Sequence, residues 1–215
     1  MMLLVWGRKS SINVRKVLWC LAELKLKEEK DFERIDAGLD FGKNRTDDFL
    51  NMNPNGLVPT LKDGDFVLWE SNSIMRYLIK KYDAKNRFPS SIEEQSLSDQ
   101  WLDWQLSLLW PTLRISYIGL TRTSEEDKDY EAIRKAYQDT NKNLRVLNEN
   151  LKKNRYCSGN QFNLCDISIG LCVNRWMMLN EKYHEKTGPK ENFENITNWI
   201  ERLETETKFL EVYEK

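Results

Sequence analysis

Apolar positions along this chain follow two periods, and the change from one to the other divides it. Leu3-Leu4-Val5-Trp6 is an unbroken apolar run stopped at Gly7, and reads as a first strand. Val14, Val17, Leu18, Leu21 and Leu24 then recur on one helix face. Residues 30–35 have weaker strand character, Gly38 and Gly42 mark a loop, and Phe49-Leu50 falls in a short helix. Leu57-Val58-Pro59-Thr60-Leu61 reads as a buried strand interrupted by a proline. Proline cannot donate to a sheet ladder, so it marks an edge, a bulge or a forced turn. Asp63-Gly64 predicts a hairpin, because glycine takes a positive φ without a Cβ clash, and Phe66-Val67-Leu68-Trp69 is the returning strand. Glu70-Ser71 opens a helix carrying Ile74, Met75, Leu78 and Ile79, with Ser71 as its predicted N-cap.

Beyond Tyr82 the strand pattern stops. Residues 83–92 are polar, hold Pro89 and two serines, lack periodicity and read as a linker. Between Glu93 and Trp110, Leu97, Trp101, Trp104 and Leu108 form one stripe, and Leu102, Leu106 and Leu109 a second. Two stripes predict burial on two sides, against a core and against a partner subunit. Pro111 is expected to kink that helix. Tyr130, Ile133, Tyr137, Leu144, Leu147 and Leu151 follow on one face of a long amphipathic helix. Asn163 and Asp166 have the spacing of a capping box, with Phe162 and Ile167 as its apolar staple, so Asp166 reads as structural. The fold class expected is α/β followed by all-α. Residues 1–82 form a βαβ half, a short helix and a ββα half, the plan of a thioredoxin-like domain, and residues 93–215 are all helical.

Composition narrows the function. A chain of 215 residues can bury a substantial core, and its formal charge of −1 comes without a long run of either sign. That argues against a general nucleic-acid or anionic-membrane binder. The N-terminal apolar run has no basic flank or cleavage pattern and is too short to span a bilayer. Cys20, Cys157, Cys165 and Cys172 form no CxxC pair and no metal-ligand spacing. Three of them lie in apolar or helical surroundings and are expected to be reduced, buried thiols, which fits a cytoplasmic protein with no metal.

The candidate chemistry lies in residues 53–78, NPNGLVPTLKDGDFVLWESNSIMRYL. This strand, hairpin, strand and helix would deliver a carboxylate, a hydroxyl and a helix N-terminus to one corner. A helix start leaves free N–H groups with partial positive charge, so such a corner can hold both ends of an amino acid. A second candidate is the loop after the first strand, GRKSSINVRKV from Gly7 to Val17, where Ser10 or Ser11 can cap the next helix.

The Val-Pro step and the Glu-Ser helix start at this spacing closely resemble the glutathione-binding half of the cytosolic glutathione transferase superfamily. The first loop, with LVWGR and SINVRKV, looks most like bacterial theta-like, serine-type members. The resemblance implies a cis Val58–Pro59 bond, with Val58 presenting backbone groups to the cysteinyl part of glutathione. It puts Glu70 and Ser71 on the γ-glutamyl end. Motif matching puts the sulfur-activating residue at Ser11, with Asn13 where proline often stands and also able to contact glutathione. Asn13 and the adjacent Ser10 remain alternatives to Ser11. The loop at residues 43–45 usually supplies the contact to the glycine carboxylate. The capping box resembles the one opening the family's central C-terminal helix, where serine or threonine is usual in place of Asn163. The activity implied is attack of the glutathione thiolate on a small electrophile, a halide, an epoxide or a peroxide. Glutathione is the co-substrate and the protein a homodimer. The alternatives are a glutathione-dependent disulfide reductase and a non-enzymatic protein-interaction module of the same fold.

Overall fold

The computed structural model of the chain describes residues 2–83, 87–189 and 191–213. Two compact units emerge, one of residues 1–88 with 208–212, the other centred on residues 89–207.

The first unit is built on a four-stranded mixed sheet in the order β2-β1-β3-β4. Strand β1 (Leu3–Trp6) runs parallel to β2 (Phe32–Ile35), with Leu3 opposite Phe32 and Trp6 opposite Ile35. On its other side β1 pairs antiparallel with β3 (Thr60–Asp63), which a hairpin joins to β4 (Phe66–Trp69). Helix α1 (Ile12–Glu23) buries Val14, Val17 and Leu21, and α3 (Ser71–Tyr82) buries Ile74, Met75 and Leu78; the two pack on each other. The short α2 (Asp47–Met52) is capped by Thr46, whose Oγ1 accepts from Phe49 N at 3.4 Å.

Gly7 ends β1, and only glycine fits there. A Cβ would lie 2.3 Å from Val14 Cγ2 and 3.3 Å from Val58 Cβ. The first turn of α1 and the segment before Pro59 therefore close tightly around the end of the central strand.

Three expectations need correction here. The ladder of β3 starts at Thr60, because Pro59 has no N–H to donate, and Leu57 is 62% exposed instead of buried in a strand. Ser71 is not the N-cap of α3: Glu70 holds that place and Ser71 is the first helical residue. Residues 208–212 were expected in the helical domain and instead join the first unit. Phe209 is fully buried with its ring 4.9 Å from that of Trp19, and Lys208 N donates to Glu23 Oε1 at 2.6 Å. Glu23 also accepts from Trp19 Nε1 and Arg87 Nε, both at 3.0 Å, so one buried carboxylate ties α1, residue 87 and the returning tail.

The second unit has no sheet strand among its described residues. Helix α4 (Ile92–Trp104) continues through a π turn at Gln105–Leu109 into α5 (Trp110–Thr121). Pro111 cannot donate to the carbonyl of Ser107, and the disturbance expected at the proline is this wider turn immediately before it. Leu102 and Leu109 are fully buried, but Leu106, expected beside them, is exposed, as are Leu97 and Leu108. Helices α6 (Tyr130–Leu151) and α8 (Glu194–Glu206) pack together, and α7 (Leu164–Thr187) is buried over most of its length, as a core helix must be.

The start of α7 is a complete capping box. The Asn163 side chain accepts from the Asp166 backbone N–H, and Asp166 Oδ2 accepts from Asn163 N at 2.9 Å; Asn163 Oδ1 also accepts from Leu164 N at 2.8 Å. Asp166 Oδ1 also takes Cys157 N at 2.8 Å and Trp199 Nε1 at 3.1 Å. Burial pushes this carboxyl up to about 6, against the pull of its N–H donors.

Candidate functional site

Three segments of the first unit converge on one cleft that encloses about 300 Å³ of space open to solvent. The first turns of α1 contribute Asn13. The loop between α2 and β3 contributes Asn53, Asn55, Leu57, Val58 and Pro59, and the junction of β4 with α3 contributes Trp69, Glu70 and Ser71. The Val58–Pro59 peptide is cis, as the resemblance implied.

Glu70 is the most constrained of these residues. Its backbone is at φ 70°, ψ 113°, a left-handed conformation that costs a residue with a Cβ on the order of 1–3 kcal/mol. The carbonyl of Glu70 accepts from Ile74 N at 2.9 Å and so starts α3, while its side chain makes no capping bond. The protein thus turns a carboxylate and a helix N-terminus without a side-chain cap into the same cleft. That combination suits a zwitterion: the carboxylate meets an ammonium group, and the amide end of the helix meets a carboxylate.

The first loop divides differently from expectation. Ser11 is the N-cap residue of α1 by its backbone, at φ −81° and ψ 124°, but its side chain makes no capping bond. It is buried, its N–H donates to Arg8 O at 3.1 Å, and its carbonyl accepts from Arg15 N at 2.9 Å. Neither Ser11 nor the exposed Ser10 lines the cleft; Asn13, two residues into the helix, does. The structure therefore brings Asn13, Val58, Pro59, Glu70 and Ser71 together and leaves both serines off the cleft wall. The loop is held from outside by Arg34, whose Nη1 donates to Gly7 O at 3.0 Å and to Asp36 at 2.5 Å.

In the loop at 43–45, Asn44 Nδ2 is engaged with Gly56 O at 2.7 Å. Gly56, at φ 60°, is closed in by Arg45 Nη1 and Asn44 O, at 2.9 and 3.0 Å from where a Cβ would stand. Asn44 thus braces the cleft loop. Sequence reasoning missed Asn53, Asn55, Leu57 and Trp69 as cleft residues. A signal was present for the asparagines: Asn55 N donates to Asn53 Oδ1 at 3.1 Å, the Asx turn that an Asn-Pro-Asn-Gly run favours.

Comparison with known proteins agrees with this geometry. Residues 10–81 match the family model of the glutathione S-transferase N-terminal domain, and residues 109–206 that of the C-terminal domain. The chain is 41% identical to glutathione S-transferase GstB of Escherichia coli K12 over 170 residues, 78% of this chain and 80% of that one. Glutathione S-transferase 1 of Manduca sexta is 29% identical over 219 residues, 100% of this chain and 92% of its own. Among solved structures, the theta class glutathione S-transferase of Xanthomonas axonopodis pv. citri with glutathione bound superposes with a TM-score of 0.84 at 34% identity, covering 95% of this chain and 93% of that one. This chain belongs to the glutathione S-transferase family.

Proposed function

We propose that the cleft binds glutathione and that the enzyme promotes attack of its thiolate on a small electrophile, an organic halide, an epoxide or a peroxide. The observation that carries this is the meeting of Glu70, the N-terminus of α3, the Val58 backbone and Asn13 in one cleft. Glu70 pairs with the γ-glutamyl ammonium, and Ser71 with the first amides of α3 takes the γ-glutamyl carboxylate. The backbone of Val58 hydrogen-bonds the cysteinyl residue as an added strand would. The sulfur then extends past Asn13, beyond the lined part of the cleft, toward the N-terminus of α1, where the Ser11 hydroxyl, not used to cap the helix, donates to it and Asn13 supplies a second donor. A helix N-terminus and such donors favour the thiolate, which is the nucleophile. With a halide the sulfur forms a bond to carbon as halide leaves; with an epoxide the ring oxygen takes the electron pair and then a proton. The protein contributes binding, orientation and thiolate stabilisation.

Glu70→Ala is the direct test. Losing a charged partner is expected to weaken glutathione binding about ten- to hundred-fold by calorimetry, with a smaller change in kcat at saturating glutathione. Unchanged affinity in a folded variant would remove Glu70 from the site.

The same reading makes the protein a homodimer. Leu97, Leu108 and Ile115 are exposed along α4, the π turn and α5, apolar side chains that a partner subunit would cover. Sedimentation at micromolar concentration is expected to give a dimer, and Leu108→Glu a monomer; a monomeric wild type refutes the assembly. Four buried free thiols support a reducing, cytoplasmic setting.

A further inference from the structure

We infer that Asn53 is a positioning residue for glutathione, one that sets the direction of the Val58 N–H. The inference rests on reading the cleft as the glutathione site. Asn53 ends α2 and is 2% exposed. Its amide uses its whole hydrogen-bonding capacity within the next seven residues. Nδ2 donates to Leu57 O at 2.9 Å and to Thr60 Oγ1 at 3.0 Å, and Oδ1 accepts from Asn55 N and Asn55 Nδ2, both at 3.1 Å. Two donors and two acceptor sites are all an amide has. The partners stand on both sides of the cis Val58–Pro59 bond, so one buried side chain is the hub around which the cleft loop folds.

The bond to Leu57 O has the functional consequence. Leu57 C=O and Val58 N–H belong to one planar peptide, in which the two groups point in opposite directions. Pinning the carbonyl onto the buried amide therefore turns the Val58 N–H away from it, into the cleft that Val58 lines. Leu57 is exposed and Pro59 contributes no N–H, so little else on this stretch fixes that plane. Aspartate at position 53 has the same shape and keeps both accepted bonds, but it has no donor for Leu57 O and sets a negative charge against it.

Asn53→Asp is expected to raise the glutathione Kd and KM about ten- to hundred-fold, with a much smaller change in kcat at saturation. Thr60→Val removes the other acceptor of Nδ2 while leaving the Leu57 bond, and is expected to move affinity less than about threefold. A purely structural role would lower the melting temperature of both variants and change affinity alike. In the wild type, hydrogen exchange read by NMR is expected to show the Val58 amide becoming protected on saturation with glutathione, while the Asn55 amide, already bonded to Asn53, stays unchanged. The inference is overturned if folded Asn53→Asp binds glutathione as the wild type does, if Thr60→Val loses as much, or if the Val58 amide gains no protection. Should Asn53→Asp not fold, the wild-type exchange measurement decides alone. A wild type that binds no glutathione overturns the reading of the cleft itself, a result distinct from these.

Discussion

Ser11→Ala is expected to lower turnover about ten- to hundred-fold near neutral pH and to leave glutathione affinity nearly unchanged. A hydrogen bond to a charged acceptor contributes roughly 1.5–3 kcal/mol, and that is the difference between thiol and thiolate that the hydroxyl supplies. The sign of the pH effect follows. A donor to the sulfur favours the deprotonated form and holds the bound thiol's pKa down, so removing it raises that pKa. The rise of kcat/KM with pH then shifts to higher pH, and activity returns in alkaline buffer. Stability is expected to change little, since the Ser11 side chain makes no capping bond to α1. Asn13→Ala separates the two candidates, because Asn13 lines the cleft and Ser11 does not. With Ser11 as the principal donor, Asn13→Ala shows the smaller loss and the smaller pH shift. Full neutral-pH activity in Ser11→Ala with a large loss in Asn13→Ala assigns the thiolate to Asn13.

That division of labour shows where the sequence could and could not be read. Motifs with fixed local spacing were legible: the Asp63-Gly64 hairpin and the Asn163–Asp166 box stand where the pattern puts them, and α3 begins within one residue of its expected cap. Each is decided by contacts within a few residues. The strand through Leu57 was misread because an apolar run signals exclusion from water in general, and here Leu57 and Val58 border a cleft and not a sheet interior. The cap of α3 was misplaced for a related reason. By intrinsic preference Ser71 is the better N-cap, yet the chain sets Glu70 there in a left-handed backbone that glutamate seldom adopts, which aligns with its position in the cleft. The tail was invisible because a single buried Phe209 has no period to reveal it. Asn53 was passed over because a buried amide with four bonds looks, in sequence, like any loop asparagine.

The largest loss of stability is expected at Asp166, in the second unit. Its carboxylate is fully buried and receives three N–H donors from three places in the chain: Cys157 after α6, Asn163 at the cap of α7, and the Trp199 indole on α8. Desolvation disfavours the charge, which is why the carboxyl lies near 6 and not at its ordinary value of 3.8, but at neutral pH it is still ionised. Asp166→Ala leaves those three donors buried without an acceptor, at about 1–3 kcal/mol each before relaxation, and removes half of the capping box. Allowing for partial repair by water or local movement, the net cost is about 3–5 kcal/mol, a large share of the 5–15 kcal/mol by which folded proteins exceed their unfolded chains. Asp166→Asn keeps the shape and one acceptor but turns an N–H₂ toward a donor, and is expected to fall between alanine and wild type. Urea unfolding of the three proteins measures this, with the midpoint falling and the slope unchanged. A loss below about 1 kcal/mol in Asp166→Ala would mean that the three N–H groups find other acceptors, and that the start of α7 is held by packing around Phe162 and Ile167 instead.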